Sequence, residues 1–315
     1  MGLEFLMAGL GLIILLLAGD VLVRGAVNLS LRLGIPALVV SLTVVAFGTS
    51  APELLIALSA IHEGVPGLAM GNVVGSNTAN ILLVLGVPAL VSGLNTAGCD
   101  VRKSYVIMLA SSSLFIAFAF FGAFTWWQSL ILLSVLAGIL FQQAMEARSH
   151  MANAAEAIDD LEEADPEMRW WKIILFLLLG LIGLPLGADL LVESATAIAA
   201  DFGVSDAIIG LTLVAVGTSL PELATTVMAA LRRQADVALG NVIGSNMFNL
   251  LGIIGVAGLV GPIPVAPEFL RFDLWVMLAA SLIIAPFVFF SWNMGRAVGL
   301  ALSALYVTYI VALLV

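Results

Sequence analysis

Charge is the scarcest thing in this chain: of its 315 residues only 10% are Asp, Glu, Lys or Arg, against about 25% in soluble globular domains. So few charges cannot cover a water-facing surface, which excludes an ordinary soluble domain. Cysteine occurs once, at Cys99, so no internal disulfide framework can form, and the residue reads as a small filler near a helix end. The two histidines, His62 and His150, are expected in loops outside the apolar runs. That leaves the apolar segments without an imidazole for a zinc or copper centre, and without a base to activate a nucleophile. Lys and Arg number 11 against 21 acids, a net charge of −10, which does not suit a nucleic-acid surface. Alternation at period two is absent, which leaves helices as the membrane-compatible class. No basic stretch precedes the first apolar run, where Glu4 stands instead; a permanent first helix is expected there rather than a cleaved leader.

What fills the chain is apolar: 62% hydrophobic residues and a mean hydropathy of +1.17. Runs of about 20 apolar residues are the unit that crosses a bilayer. Ten such runs are found, at roughly 3–23, 35–61, 66–92, 104–122, 127–145, 172–199, 204–230, 236–260, 273–290 and 297–315. Turn residues separate them, among them Gly34-Ile35-Pro36, Gly64-Val65-Pro66 and Gly261-Pro262-Ile263-Pro264. Trp126, Trp127, Trp170 and Trp171 suit the interfacial belts. With the N-terminus outside, Arg24, Arg32, Arg102, Lys103, Arg148, Arg169, Lys172, Arg232, Arg233 and Arg296 gather on the cytoplasmic side, and only Arg271 falls outside. The expectation is a multi-pass protein of the cell membrane with both termini external.

Within these spans one pattern occurs twice. Gly48-Thr49-Ser50-Ala51-Pro52-Glu53 returns as Gly217-Thr218-Ser219-Leu220-Pro221-Glu222. Gly71-Asn72-Val73-Val74-Gly75-Ser76-Asn77, continuing to Asn80, returns as Gly240-Asn241-Val242-Ile243-Gly244-Ser245-Asn246, continuing to Asn249. Both copies keep one offset of 169 residues, which also relates Asp20 to Asp189 and Gly86 to Gly255. Each half holds five spans, and an odd number inverts the second copy. The predicted fold is an all-α polytopic membrane protein of ten transmembrane helices in two inverted-topology five-helix repeats, with broken helices at the midplane. Residues 1–145 form the first repeat (motif 48–80) and 172–315 the second (motif 217–249). The acidic stretch 146–171, rich in Glu and Asp, joins them as a solvated cytoplasmic linker.

Depth gives the motifs their meaning. Glu53 and Asn80 lie roughly 13–21 Å from the nearer surface at 1.5 Å per residue, near the middle of a ~30 Å core. Glu222 and Asn249 stand at comparable distances from the opposite turn, so one composite site is expected. Pro52 and Pro221 should break their helices and release the carbonyls of Ala46, Phe47, Ala215 and Val216 as ligands. Thr49, Ser50, Thr218 and Ser219 add hydroxyl oxygens; Ser76, Asn80, Ser245 and Asn249 add neutral oxygens from the second motif. Ser50-x-x-Glu53 and Ser219-x-x-Glu222 also fit a helix-capping box. A neutral Gln would cap equally well, however, and a carboxylate in lipid costs several kcal/mol. No Lys or Arg lies at matching depth, so Glu53 and Glu222 call for mobile countercharge. An all-oxygen set selects hard cations, with calcium and sodium the natural candidates. Asp20 and Asp189 read as anchoring residues, and the Gly-x-x-x-Gly pairs as close helix contacts.

In these motifs the chain resembles the cation/calcium antiporter superfamily, specifically the prokaryotic sodium/calcium exchangers, over nearly its whole length. The resemblance implies that Glu53 and Glu222 coordinate calcium together with Thr49 and Thr218. It also implies that Ser50, Ser76, Ser219 and Ser245 are among the sodium ligands, while the first and sixth helices slide to expose the site to one side at a time. Asn249 departs from potassium-dependent relatives, which carry Asp there. The implied function is secondary-active Na+/Ca2+ antiport without covalent chemistry, with a proton/calcium (or other divalent cation) antiporter as the alternative. No cofactor, nucleic acid or obligatory protein partner is expected beyond the ions and the lipid bilayer.

Overall fold

The computed structural model describes residues 2–153, 168–202 and 215–314. The central part of the acidic linker and residues 203–214, which open the seventh apolar run, lie outside them. Helix α1 runs over Gly2–Leu33. It extends past the end of the first apolar run because Asp20, Arg24 and Asn28, which lower the local hydropathy, are satisfied inside the protein. Asp20 pairs with Arg24 at 3.3 Å and with Arg232, and the Asn28 amide donates to the Arg24 carbonyl at 2.8 Å. The chain then forms α2 (Ala37–Thr49) and α3 (Ala51–His62), bent by 41° at a short break. Helix α4 covers Pro66–Val91, α5 Arg102–Ala119 and α6 Trp126–Asn153.

In the second half α7 spans Trp170–Asp201. A helical turn at Ala215–Gly217 precedes α8 (Leu220–Leu231). Helices α9 (Ala235–Val260), α10 (Phe269–Phe289) and α11 (Arg296–Leu314) follow. Seven of these helices are long and apolar enough to cross a membrane, or eight if the bent α2–α3 pair is one span. The molecule is therefore helical as predicted, with one addition. Two short strands, β1 (Ala123–Phe124) and β2 (Ile263–Pro264), pair antiparallel and satisfy backbone groups that the turns at Gly122 and Gly261 would leave unpaired.

Burial divides the helices into two groups. About four-fifths of the central windows of α4 (78%) and α9 (83%) is buried, against 33% of α1 and 28% of α7. The helices carrying the Gly-Asn motif thus form the centre, while α1 and α7 lie at the periphery with broad apolar faces outward. These two long helices pack on each other backbone to backbone. A Cβ at Gly11 would stand 2.7 Å from the Leu191 nitrogen, and one at Gly187 would stand 2.8 Å from the Leu15 nitrogen. At the centre, Gly240 and Gly244 admit α2: a Cβ on either would meet Ser41 or Ala46 Cβ within 3.0 Å. At the common offset the counterparts of Ser41 and Leu42 are residues 210 and 211, outside the described ones, and a Cβ at Gly75 would meet nothing within 4 Å among those described.

Candidate functional site

The break between α2 and α3 is one residue wide. Ser50, at φ −84° and ψ 4°, leaves the helix, and Ala51 starts the next one with Pro52 in its first turn. A proline there loses no hydrogen bond, because the first amides of a helix have no partner in it. The second half repeats this: Ser219 sits at φ −89° and ψ 3° ahead of Leu220, Pro221 and Glu222. Because the break is so narrow, fewer carbonyls are freed than the sequence suggested. The Ala46 carbonyl accepts from the Ser50 amide at 3.1 Å and the Thr49 hydroxyl at 3.3 Å. The Val216 carbonyl accepts from the Ser219 amide at 3.0 Å. Ala215 opens the short helical turn before Thr218.

Both carboxylates enter the first turn of their new helices, where the amide dipoles favour negative charge, and both are fully buried. Neither serine caps its own helix. Ser50 reaches across instead and donates from Oγ to Glu222 Oε1 at 3.3 Å. The hydroxyls of Thr49 and Ser245 also approach the Glu222 carboxylate, and Thr49 Oγ1 lies 3.4 Å from Ser245 Oγ. Glu53 lies in the electrostatic field of Glu222. Residues from both copies of the motif therefore meet in one polar cluster.

The second motif supplies the rest. Asn80 opens a π-helical stretch, Asn80–Val84, inside α4, and Asn249 lies in its counterpart, Phe248–Ile253, inside α9. A π-bulge shifts the side chains after it by a fraction of a turn and recurs at functional sites. Asn80 Nδ2 donates to Asn246 Oδ1 at 3.0 Å. Ser76 and Ser245 are buried one turn before these asparagines.

Many oxygens of the cluster stay without a partner. Among the described residues neither oxygen of Glu53, nor Glu222 Oε2, Ser76 Oγ, Asn80 Oδ1, Ser219 Oγ or either polar atom of Asn249 forms a hydrogen bond. Buried polar atoms are normally paired, and a concentration of unpaired ones calls for an explanation, such as water or a bound ion. Their chemistry is uniform: two carboxylates surrounded by neutral oxygens. Among the described residues no group of three or more His, Cys, Asp or Glu could hold a metal. No described ion pair involves Glu53 or Glu222; the nearby cations are spent elsewhere, Arg24 and Arg232 on Asp20. A cavity of about 280 Å³ adjoins the second half of the cluster, lined by Pro52, Thr218 and Pro221 and, further out, by Asp189 and Glu193.

Two site-adjacent residues went unassigned by the sequence reading. Asn72 accepts from the Thr218 hydroxyl at 3.4 Å and Asn241 from the Thr49 hydroxyl at 3.2 Å. The signal was present, since both stand beside the repeated glycines at the common offset, but it was absorbed into the packing explanation of the Gly-x-x-x-Gly pairs.

Comparison with known proteins agrees with this chemistry. The sequence profile described as sodium/calcium exchanger protein matches residues 3–145 and again 172–315. The sodium/calcium exchanger MaX1 of Methanosarcina acetivorans is 36% identical, with 98% of each chain covered. The inner membrane protein YrbG of Escherichia coli is 32% identical over 96% of this chain and 94% of its own. A solved structure of the sodium-calcium exchanger NCX_Mj, soaked with Na+ and Sr2+, superposes with a TM-score of 0.80 at 32% identity, covering 98% of both chains. Two matched halves, full-length relatives and a shared fold leave one placement: this chain belongs to the sodium/calcium exchanger family.

Proposed function

We propose that this protein is a secondary-active antiporter that exchanges Na+ for Ca2+ by alternating access at a single midplane site. The observation that carries the proposal is the pair of fully buried carboxylates, Glu53 and Glu222, converging without a fixed cation among unpaired neutral oxygens. One divalent ion, or two monovalent ions, balances their charge, and competition for that charge is what makes transport an exchange. Thr49 and Thr218 join the two carboxylates around calcium. Ser50, Ser76, Ser219, Ser245, Asn80 and Asn249 provide oxygens for sodium. The Ala215 carbonyl belongs to the same set, and Ala46 joins it by giving up its bond from the Thr49 hydroxyl.

Counting α5 and the Ala215–Leu231 region as spans gives ten, five in each half. The two separate family matches support reading the halves as inverted repeats. The Lys and Arg distribution supports a cytoplasmic linker and external termini. In that frame the cavity beside Thr218 and Asp189 opens outward, so cations enter past acidic residues.

The test is calcium-45 uptake into proteoliposomes preloaded with sodium, with choline- and potassium-loaded controls and a proton ionophore throughout. Uptake only against an outward sodium gradient is expected. Uptake that ignores sodium and instead follows an imposed proton gradient, without the ionophore, would replace this reading with proton/calcium exchange.

A further inference from the structure

We infer that Asn72 and Asn241 are positioning residues, each drawing the hydroxyl proton of a threonine from the other half so that the threonine oxygen faces the ion. This rests on the site proposed above.

The orientation of Asn241 follows from its neighbours. Its Nδ2 faces the Glu222 carbonyl at 3.3 Å and the Thr226 hydroxyl at 3.1 Å. A carbonyl can only accept, so the amide nitrogen must be on that side and Oδ1 on the other. Oδ1 in turn faces the Thr49 hydroxyl at 3.2 Å. A hydroxyl has one proton and two lone pairs. Donating that proton to Asn241 leaves both lone pairs for a cation, and prevents the proton from pointing at the site, where it would repel the ion. The choice also matters for Ala46. Its carbonyl, at 3.3 Å, is one of several acceptors within reach of the Thr49 proton, beside Ser245 Oγ at 3.4 Å and the Glu222 carboxylate, and it keeps that lone pair for an ion when Asn241 takes the proton instead. Fully buried, Asn241 thus ties Thr49 of one half to the Glu222 backbone of the other.

Asn72 makes the corresponding bond to Thr218, at 3.4 Å, but it is held differently. The residue 169 positions before Thr226 is Ala57, which has no hydroxyl, and Asn72 Nδ2 has no hydrogen-bond partner among the described residues. One threonine ligand is therefore anchored and the other, on the side of the cavity lined by Thr218, is loosely held.

The experiment measures KM and maximal rate for sodium-driven calcium uptake, together with melting temperature, in Asn241→Leu, Asn72→Leu, Thr226→Val and Ala57→Ser, with Glu222→Gln in parallel. Loss of a hydrogen bond to a ligand predicts that Asn241→Leu raises the calcium KM about tenfold, and Thr226→Val about threefold, with maximal rates within about twofold of wild type. Asn72→Leu raises KM less than Asn241→Leu, and Ala57→Ser, which supplies the missing hydroxyl, lowers it. A fall in melting temperature with unchanged KM in Asn241→Leu would reduce the residue to packing and overturn the inference. Should Asn241→Leu fail to fold, Thr226→Val decides: an unchanged KM overturns it. Survival of exchange in Glu222→Gln would instead defeat the site assignment itself. Silence of Glu222→Gln beside a wild-type KM in the asparagine and threonine variants would defeat only the positioning role.

Discussion

A carboxylate buried without a fixed cation is among the most costly side chains a membrane protein can hold, and here there are two, Glu53 and Glu222. Replacing either with Gln keeps shape and removes charge. Calcium exchange is expected to fall by about two orders of magnitude or more, while the purified protein still elutes as a folded species; wild-type flux in either variant would remove both residues from the site. Asn249 has no partner for either polar atom. Asn249→Asp adds a third negative charge and should change the sodium dependence of uptake or introduce sensitivity to potassium, read from the same vesicles with the two ions exchanged. Cys99 offers a control far from the cluster. Burial first, and the Asp236 carboxylate beside it second, push its thiol well above the usual range, so little thiolate exists near neutral pH. Labelling with a maleimide at pH 7.5 should be slow in the folded protein and rapid after denaturation; equally fast labelling in both states would contradict the described packing. The residues of the cluster were legible because the sequence repeats them at one spacing. The orientation of each amide and hydroxyl was not, because it depends on contacts made across the two halves.

At the level of helices, proline was legible as a break but its width was not. Pro52 falls in the first turn of α3, where it costs nothing, so the chain departs from helix only at Ser50. The π-helical stretches at Asn80–Val84 and Phe248–Ile253 left no signal that hydropathy could register, since one inserted residue alters no composition. The ends of α1 and α10 were also missed. Arg271 and Asp273 lower the hydropathy where α10 begins, yet Asp273 is held by the Tyr309 hydroxyl at 3.0 Å and the helix starts before it, at Phe269. The contact between α1 and α7 has a direct test. A leucine at Gly187 would place its Cβ 2.8 Å from backbone of α1, and overpacking of this kind costs about 1–3 kcal/mol. Gly187→Leu should lower the melting temperature in detergent, whereas Gly138→Leu, at a glycine with open space around it, should not.

For the whole molecule, hydropathy carried the membrane class, and the all-helical fold agrees. What hydropathy could not convey was that α4 and α9 form a buried centre while α1, α6, α7, α10 and α11 leave most of their surface outward, because all of them read as apolar runs. That division matters for how the molecule idles. With no fixed cation beside Glu53 and Glu222, an unloaded site crossing the bilayer would carry its bare negative charge through a medium that penalises it heavily. In the exchange cycle proposed above, the empty protein would thus be held to whichever side it last faced. In that cycle leakage would be suppressed without any dedicated plug: a protein emptied on one side could turn back only with sodium or calcium bound, so neither ion would run down its gradient alone.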